Sequence, residues 1–465
     1  MHFDEVVGLA KNHMPVVRRF VSRQRTTTPL QILDIQGDTR PVSLFTNASK
    51  LLINHEKESQ RRMTRQLSQY GILFSLVLLV LLAVAPPGNC AEDFSGWLEG
   101  LRQEARSKGI SEATLHEALD NLEPIPRIIE LDRRQPEFTQ TFWRYLDARV
   151  TETRIERGRT LLEAHKELLD RIEMRYGVQP RFLVAFWGLE TNFGDYLGSF
   201  PVIGSLATLA YDPRRSDFFR AELLAALSII DEGNISAPNM LGSWAGAMGQ
   251  TQFMPSTFVR FAVDEDGDGR RDIWYSLPDV FASAANFLSE SGWQVDKTWG
   301  REVRLPSDFD LELTGLEVEK SLAAWQILGV RKSTGEDLPK MNIKGSVILP
   351  AGHTGPAFLV YNNFHTILRW NRSDLYAIAV GHLADRIAGS SPLLAPRPNS
   401  EEPLSRIQAK KIQELLAAQG YDPGPVDGVI GSQTRQAIKE FQRTAKLPAD
   451  GHPTADLLEI LGKSE

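Results

Sequence analysis

Apolar and polar positions divide the chain into stretches of different period. From 94 to 175, Leu, Ala, Glu and Arg alternate with helical spacing, as in F-S-G-W-L-E-G-L-R-Q-E-A at 94–105. Within it, Ile110 to Thr114 reads as a loop entering a capped helix. Residues 182–194, F-L-V-A-F-W-G-L-E-T-N-F-G, form an apolar helical run. Pro180 suits its first turn, and Asn192 to Gly194 suit its stop. From 301 to about 360 the pattern changes to short β-prone runs broken by Gly and Pro: R-E-V-R-L-P, V-I-L-P and A-F-L-V-Y. Helix returns at 373–388, and 389–403, G-S-S-P-L-L-A-P-R-P-N-S-E-E-P, reads as a flexible linker. Residues 404–463 form a separate small module. It has a helix, a D-G-x-x-G turn, Thr434 as cap, a second helix ending in Phe441 and Gln442, an Asp450-Gly451 turn and a third short helix. The prediction is a mainly α protein with a small β insertion.

One apolar run, I-L-F-S-L-V-L-L-V-L-L-A-V-A at 72–85, is uncharged but short for a membrane span. Arg61, Arg62 and Arg65 precede it and small residues follow, the order of a secretory signal peptide. Met63 would place that signal at an N-terminus, so 63–91 is expected to be the signal and 1–62 an over-extended start. The alternative is a cytosolic tail before a signal anchor. Cleavage is expected after Ala91. Cys90 could instead carry a lipid, although Pro87, Gly88 and Asn89 make a poor lipoprotein signal. The working part is therefore expected to be exported, either free or tethered to a membrane, inner or outer, by the N-terminal segment.

The chain's 465 residues, 42% of them hydrophobic, are enough for two or three domains. A net charge of -7 supplies no basic field for nucleic acid. The single cysteine can form no disulfide within the chain.

Four segments carry candidate chemistry. In the first, Glu190 is the one acid of its apolar run, with Phe186 four and Trp187 three residues before it. A carboxyl group against aromatic rings loses hydration, which favours its protonated form and suits a general acid. Read alone, such an acid is usually a solvated edge residue or half of an ion pair. The second is G-S-W-A-G-A-M-G-Q-T-Q-F-M-P-S at 242–256, where small residues around Ser243, Met248, Gln252 and Phe253 allow close backbone approach and supply neutral hydrogen bonds. Tight helix packing is the alternative. In the third, D-E-D-G-D-G-R-R-D-I-W at 264–274, Asp264, Asp266 and Asp268 fall at positions one, three and five of an EF-hand loop. Gly269 falls at six, and Arg270 could offer its carbonyl at seven. Position twelve is Tyr275 instead of Glu, and Asp279 could close a longer loop. A structural calcium ion is expected there, against a solvated acidic turn. The fourth segment, 361–377, mixes Trp370, Asn371 and Tyr376.

Together these motifs, in this order over about 92–388, resemble the membrane-bound lytic murein transglycosylase B family. The resemblance implies a mainly helical, lysozyme-like groove with a small β part. It also implies a reaction: the β-1,4 bond between N-acetylmuramic acid and N-acetylglucosamine of peptidoglycan breaks without added water, and the muramyl 6-hydroxyl closes a 1,6-anhydro ring. Glu190 would act as general acid, then as base, and no cofactor is required for the chemistry. By the same resemblance Ser243 and Gln252 orient an N-acetyl sugar, Asn371 and Tyr376 form a second pair, and Tyr145 lies in the active site. Arg214 and Arg215 match an arginine pair that could meet peptide-stem carboxylates, or are plain surface charges. Trp370 and Phe287 stand where the family usually has tyrosine, so stacking is expected to survive but the hydroxyl hydrogen bonds to be lost. Residues 404–463 resemble a three-helix peptidoglycan-binding domain. The expected partner is the peptidoglycan glycan strand. Two other readings remain open at this level: a muramidase that uses water, and a non-catalytic wall-binding scaffold.

Overall fold

The computed structural model describes residues 93–134, 140–399 and 402–463. The expected signal peptide, Cys90 and the 1–62 segment lie outside the described residues. Among the described residues no helix is long and apolar enough to cross a membrane.

The glutamate-bearing helix, Pro180–Thr191, is buried from Phe182 through Gly188. A helix that is apolar all round must be covered on all sides. Four helices cover this one: Glu152–Ala164, Lys166–Tyr176, Leu277–Glu290 and, most extensively, Asp374–Ile387. Its ends follow local chemistry. Pro180 needs no N–H in the first turn, and Asn192 ends the helix at φ 52°, ψ 47°. A second helical group pairs Val202–Tyr211 with Ser216–Asp231. A short antiparallel pairing, β1 (Phe200–Pro201) with β2 (Leu241–Gly242), leads from it into the serine-glutamine segment.

The β insertion is a five-stranded antiparallel sheet. Its strands are β3 (Gly300–Arg304), β4 (Glu319–Ser321), β5 (Arg331–Lys332), β6 (Lys344–Ile348) and β7 (Ala357–Val360), in the order β4-β6-β7-β3-β5. Alternation along β7 divides its side chains between two cores. Leu359, opposite Val347, joins Val303, Leu322 and Trp325 in the insertion's own core. Phe358 turns the other way, against Trp299 at 5.8 Å and Phe142 at 5.9 Å in the helical part. The sheet is thus fixed to the helices by a shared aromatic seam.

The C-terminal module has three helices, Arg406–Ala418, Ser432–Thr444 and Ala455–Lys463, around Ile412, Leu416, Ile438, Phe441 and Leu461. A capping box of Ser405 and Gln408 starts the first. Thr434 is not the cap of the second. That helix is capped at Gly431, and Thr434 is buried one turn in. Its hydroxyl donates to the Pro423 carbonyl at 2.8 Å.

The linker is not free, contrary to its composition. The backbone N–H groups of Leu394 and Ala395 donate to the Glu302 carboxylate at 2.8 and 2.7 Å. Arg397 forks onto Asp147 at 2.7 and 2.9 Å and lies 4.5 Å over the Trp143 ring. Beyond it the module is docked on the insertion. Lys439 Nζ donates to the Thr314 carbonyl at 2.8 Å, and the Asp450 carboxylate meets both the backbone N–H and ring Nδ1 of His353.

Gly381 marks the closest approach in the helical part. A Cβ there would fall 2.2 Å from the Trp299 ring, whose indole N–H is tied to Asp385 at 2.9 Å. Overpacking at such a point costs about 1–3 kcal/mol. Gly381→Ala is therefore expected to lower the melting temperature of the catalytic part, measured by differential scanning calorimetry; an unchanged melting temperature contradicts this packing.

Candidate active site

Glu190 sits half-buried one residue before the end of its helix. Trp370 and Tyr376 both donate to the same oxygen, Oε1: the Trp370 indole N–H at 2.8 Å, and the Tyr376 hydroxyl in a short bond. Oε2 accepts no hydrogen bond from the described residues. Trp370 ends the Asn362–Trp370 helix and Tyr376 lies in the first turn of Asp374–Ile387. The two helices are joined through Asn371, whose side chain accepts from Ser373 N at 3.0 Å. Tryptophan at 370 has no hydroxyl to offer, as expected, but its ring supplies an N–H donor to the carboxylate, which the sequence reading did not include.

An aromatic floor fixes that ring. Phe186 lies 4.5 Å from Trp370, Phe287 4.9 Å and Phe253 5.2 Å. Phe186 also flanks Tyr376 at 6.3 Å. Trp187, which the sequence places beside Glu190, faces away toward Phe193 and Phe281. Burial pushes the Glu190 carboxyl up to about 7. The two donors and the Arg149 charge pull against it, because each favours the ionised form. Among the described residues no second acid shares a hydrogen bond with the site. Asp195 is held by Arg157, with Nη2 to Oδ1 at 2.8 Å, and this pair keeps its carboxyl below the ordinary range.

Past the helix end, Asn192, Phe193 and Gly194 all adopt positive φ, 52°, 62° and 84°. This sharp stop brings the chain against the serine-glutamine loop. Trp187 Nε1 donates to Gln250 Oε1 at 2.7 Å, and Gln250 Nε2 donates to the Trp274 carbonyl at 2.8 Å. A Cβ on Gly194 would lie 2.6 Å from Gln250 Oε1, so glycine is required there by both φ and space. In the sequence Gln250 and Gln252 read alike as neutral hydrogen-bonding residues, and only the folded loop gives Gln250 its bridging position.

Gln252, at φ 50° and 9% exposure, donates through Nε2 to the carbonyls of Leu197 and Gly249 at 3.1 and 2.9 Å. Its Oε1 is buried without a partner. Ser243 is buried, and its hydroxyl oxygen accepts from Ala247 N at 3.0 Å. Met248 is not a contact residue. It is 0% exposed and pairs through its backbone with Gly242 and Phe253. Phe253 and Phe287 are likewise buried, behind Trp370.

Tyr145, Arg149, Arg214 and Arg215 line a cleft that runs to the C-terminal module. Glu190 does not line it; Arg149 is the link, since it borders the cleft and its charge reaches Glu190. Arg149 lies 5.0 Å over the Tyr145 ring. Its role is absent from the sequence pattern, because 41 positions separate it from Glu190. Arg214 is paired with Asp132. Arg215 lies 5.0 and 4.9 Å over the rings of Phe218 and Phe219. Arg214 is exposed and ion-paired, whereas Arg215 is partly buried against its two rings.

In the aspartate loop, carboxylate oxygens of Asp264, Asp266 and Asp268 lie within 4.8 Å of one another. Asp264 accepts from Gly267 N at 2.7 Å and Gly269 N at 2.9 Å, which shapes the turn. Asp279 is not a fourth member. Its carboxylate accepts from the backbone N–H groups of Glu265, Asp266 and Asp272, and so ties the loop to the next helix from below.

The Transglycosylase SLT domain family matches residues 93–385, and the Putative peptidoglycan binding domain family matches 405–461. The membrane-bound lytic murein transglycosylase B of Escherichia coli K12 is 30% identical over 251 residues, 53% of this chain and 67% of that one. The solved structure of SltB3 from Pseudomonas aeruginosa in complex with NAG-anhNAM-pentapeptide is 47% identical. It covers 79% of this chain and 99% of its own, with a TM-score of 0.77. The lytic transglycosylase Slt35 of Escherichia coli in complex with calcium is 27% identical, covering 64% of this chain and 92% of its own, with a TM-score of 0.54.

The raised carboxyl has a stability consequence. The ordinary value is 4.5 and the folded value about 7. Between these the folded state binds more proton than the unfolded state, so stability falls as pH rises through that window. A neutral amide at 190 keeps an acceptor for both donors and escapes the cost of burying charge. Glu190→Gln is therefore expected to raise the melting temperature at pH 8 and to change it little at pH 4.5. An equal effect at both pH values contradicts the assignment.

Proposed function

The chain belongs to the transglycosylase SLT family, and from that premise we propose how one carboxylate performs the lytic cleavage of peptidoglycan. Ordinary glycosidases divide the work between two acids. Here Glu190 has no partner acid among the described residues, and the single observation that carries the reading is its carboxyl group, half-protonated near neutral pH and held through one oxygen only. Glu190 first gives its proton to the glycosidic oxygen as the bond to the muramyl C1 breaks, and the N-acetylglucosamine-side oxygen leaves as a hydroxyl. The cationic centre at C1 is stabilised by the substrate's own N-acetyl group. The carboxylate then takes the proton of the muramyl 6-hydroxyl, whose oxygen bonds to C1. Glu190 is protonated again, no water is consumed and the product ends in a 1,6-anhydro ring.

Gln252 supports placement of the N-acetyl group, because its free, buried Oε1 is an acceptor awaiting an amide N–H. Ser243 and Asn371 are assigned to sugar binding beside Gln252, Tyr145 to the adjoining cleft bordered by Arg149, and Arg214 and Arg215 to the peptide stem. The docked module is assigned to hold the polymer on the catalytic part. Export to the periplasm, with or without a membrane tether, follows from the wall substrate and the N-terminal apolar run.

For the aspartate loop the reading is calcium. Three converging carboxylates with turns held by glycine suit a hard cation, and the ion would offset their mutual repulsion. Asp264, Asp266 and Asp268 would hold it with the Arg270 carbonyl, and its role is structural.

On purified sacculi, the wild-type protein is expected to release anhydro-muramyl ends with no new reducing muramyl ends, and Glu190→Gln to clear nothing. New reducing ends would favour a muramidase, and clearing by the Gln variant would remove Glu190 from the chemistry. Calcium is expected to raise the melting temperature of the wild type and not of Asp268→Ala; no calcium effect in the wild type contradicts the site.

A further inference from the structure

The two oxygens of Glu190 are unequal. Trp370 Nε1 and Tyr376 Oη both donate to Oε1, and no described residue donates to Oε2. A donor needs a lone pair, so a protonated carboxyl that accepts two hydrogen bonds on Oε1 has its carbonyl character there. The hydroxyl proton is then on Oε2. The arrangement is rigid because Trp370 is wedged among Phe186, Phe253 and Phe287 at 4.5, 5.2 and 4.9 Å. Its helix end is also pinned, as Arg369 donates to the Ser291 carbonyl at 2.6 Å.

We propose that Trp370 is a positioning residue of the reaction: together with Tyr376 it holds Oε1, so that Oε2 alone gives and takes back the proton. The inference rests on Glu190 being the acid and base. It replaces a stacking role for Trp370 with one exerted through the carboxylate. Among the described residues, the groups facing Glu190 that affect its titration are Tyr376 and Trp370 from the helices on either side of Asn371, and Arg149 from Phe142–Arg149. Removing the indole N–H takes away a donor that favours the ionised form, so the carboxyl must titrate higher.

The test is the pH profile of turnover on purified glycan strands by Trp370→Phe. The alkaline limb is expected to move up by about one pH unit. kcat at pH 6 is expected to fall about ten- to a hundredfold with KM little changed. Tyr376→Phe is expected to move the limb in the same direction. Phe287→Leu, which loosens the ring packing and removes no donor, is expected to leave the limb in place. If Trp370→Phe fails to fold, 3-benzothienylalanine at 370 replaces the N–H with sulfur and keeps the bicyclic ring; the same upward shift is expected. Lost activity with an unmoved limb, or an equal shift in Phe287→Leu, overturns the proposal. These outcomes are separable from failure of the underlying reading, because in that case Glu190→Gln remains active.

Discussion

The structure turns on a conflict at one side chain. Half-burial disfavours charge on Glu190, while two donors and a nearby arginine favour it, and the carboxyl settles at about 7. Burial without the donors would leave an acid too weak to release its proton. Donors without burial would leave an ionised group with no proton to give. A group that serves as acid and then as base works best when both forms are accessible near the working pH. That balance explains why the glutamate helix is covered on so many sides and why its exposed end meets two hydrogen-bond donors.

The rest of the molecule keeps those distances constant. The Asp374–Ile387 helix brings Tyr376, the Asn362–Trp370 helix brings Trp370, and the sheet anchors the region just before them through Phe358 and Trp299. Gln250 ties the far side of the glutamate helix to the serine-glutamine loop. The C-terminal module belongs to the same frame. A free random-coil linker would give it a broad distribution of separations, but Glu302, Asp147 and Trp143 hold the connecting chain down. Wall binding and cleavage are thus separated by a fixed geometry, and the gain in effective concentration depends on that geometry more than on linker length.

Much of this was legible in sequence because it is local. Pro180 and Asn192 bracket the glutamate helix, the period change after 300 marks the sheet, and the aspartate spacing marks a tight loop. What the sequence concealed depends on contacts across long separations. Trp370 looked like a tyrosine replaced at the cost of a hydrogen bond, because substitution patterns say nothing about where an indole N–H points. Trp187 and Phe186 share a helical face on paper, yet packing sends them in different directions. Met248 looked like a groove residue, but a backbone pairing with Gly242 and Phe253 buries it. The linker composition read as flexible, since neither the acceptor at Glu302 nor the aromatic seat at Trp143 is adjacent in sequence.

The central claim is that the Glu190 carboxyl is still about half-protonated at neutral pH in the free enzyme. Carbon-13 NMR titration of the side-chain carboxyl resonance of Glu190, assigned by comparison with Glu190→Gln, tests this without substrate. The account predicts a midpoint near 7, far above the ordinary 4.5. A midpoint between 4 and 5, in the range of an ordinary glutamate, would contradict it.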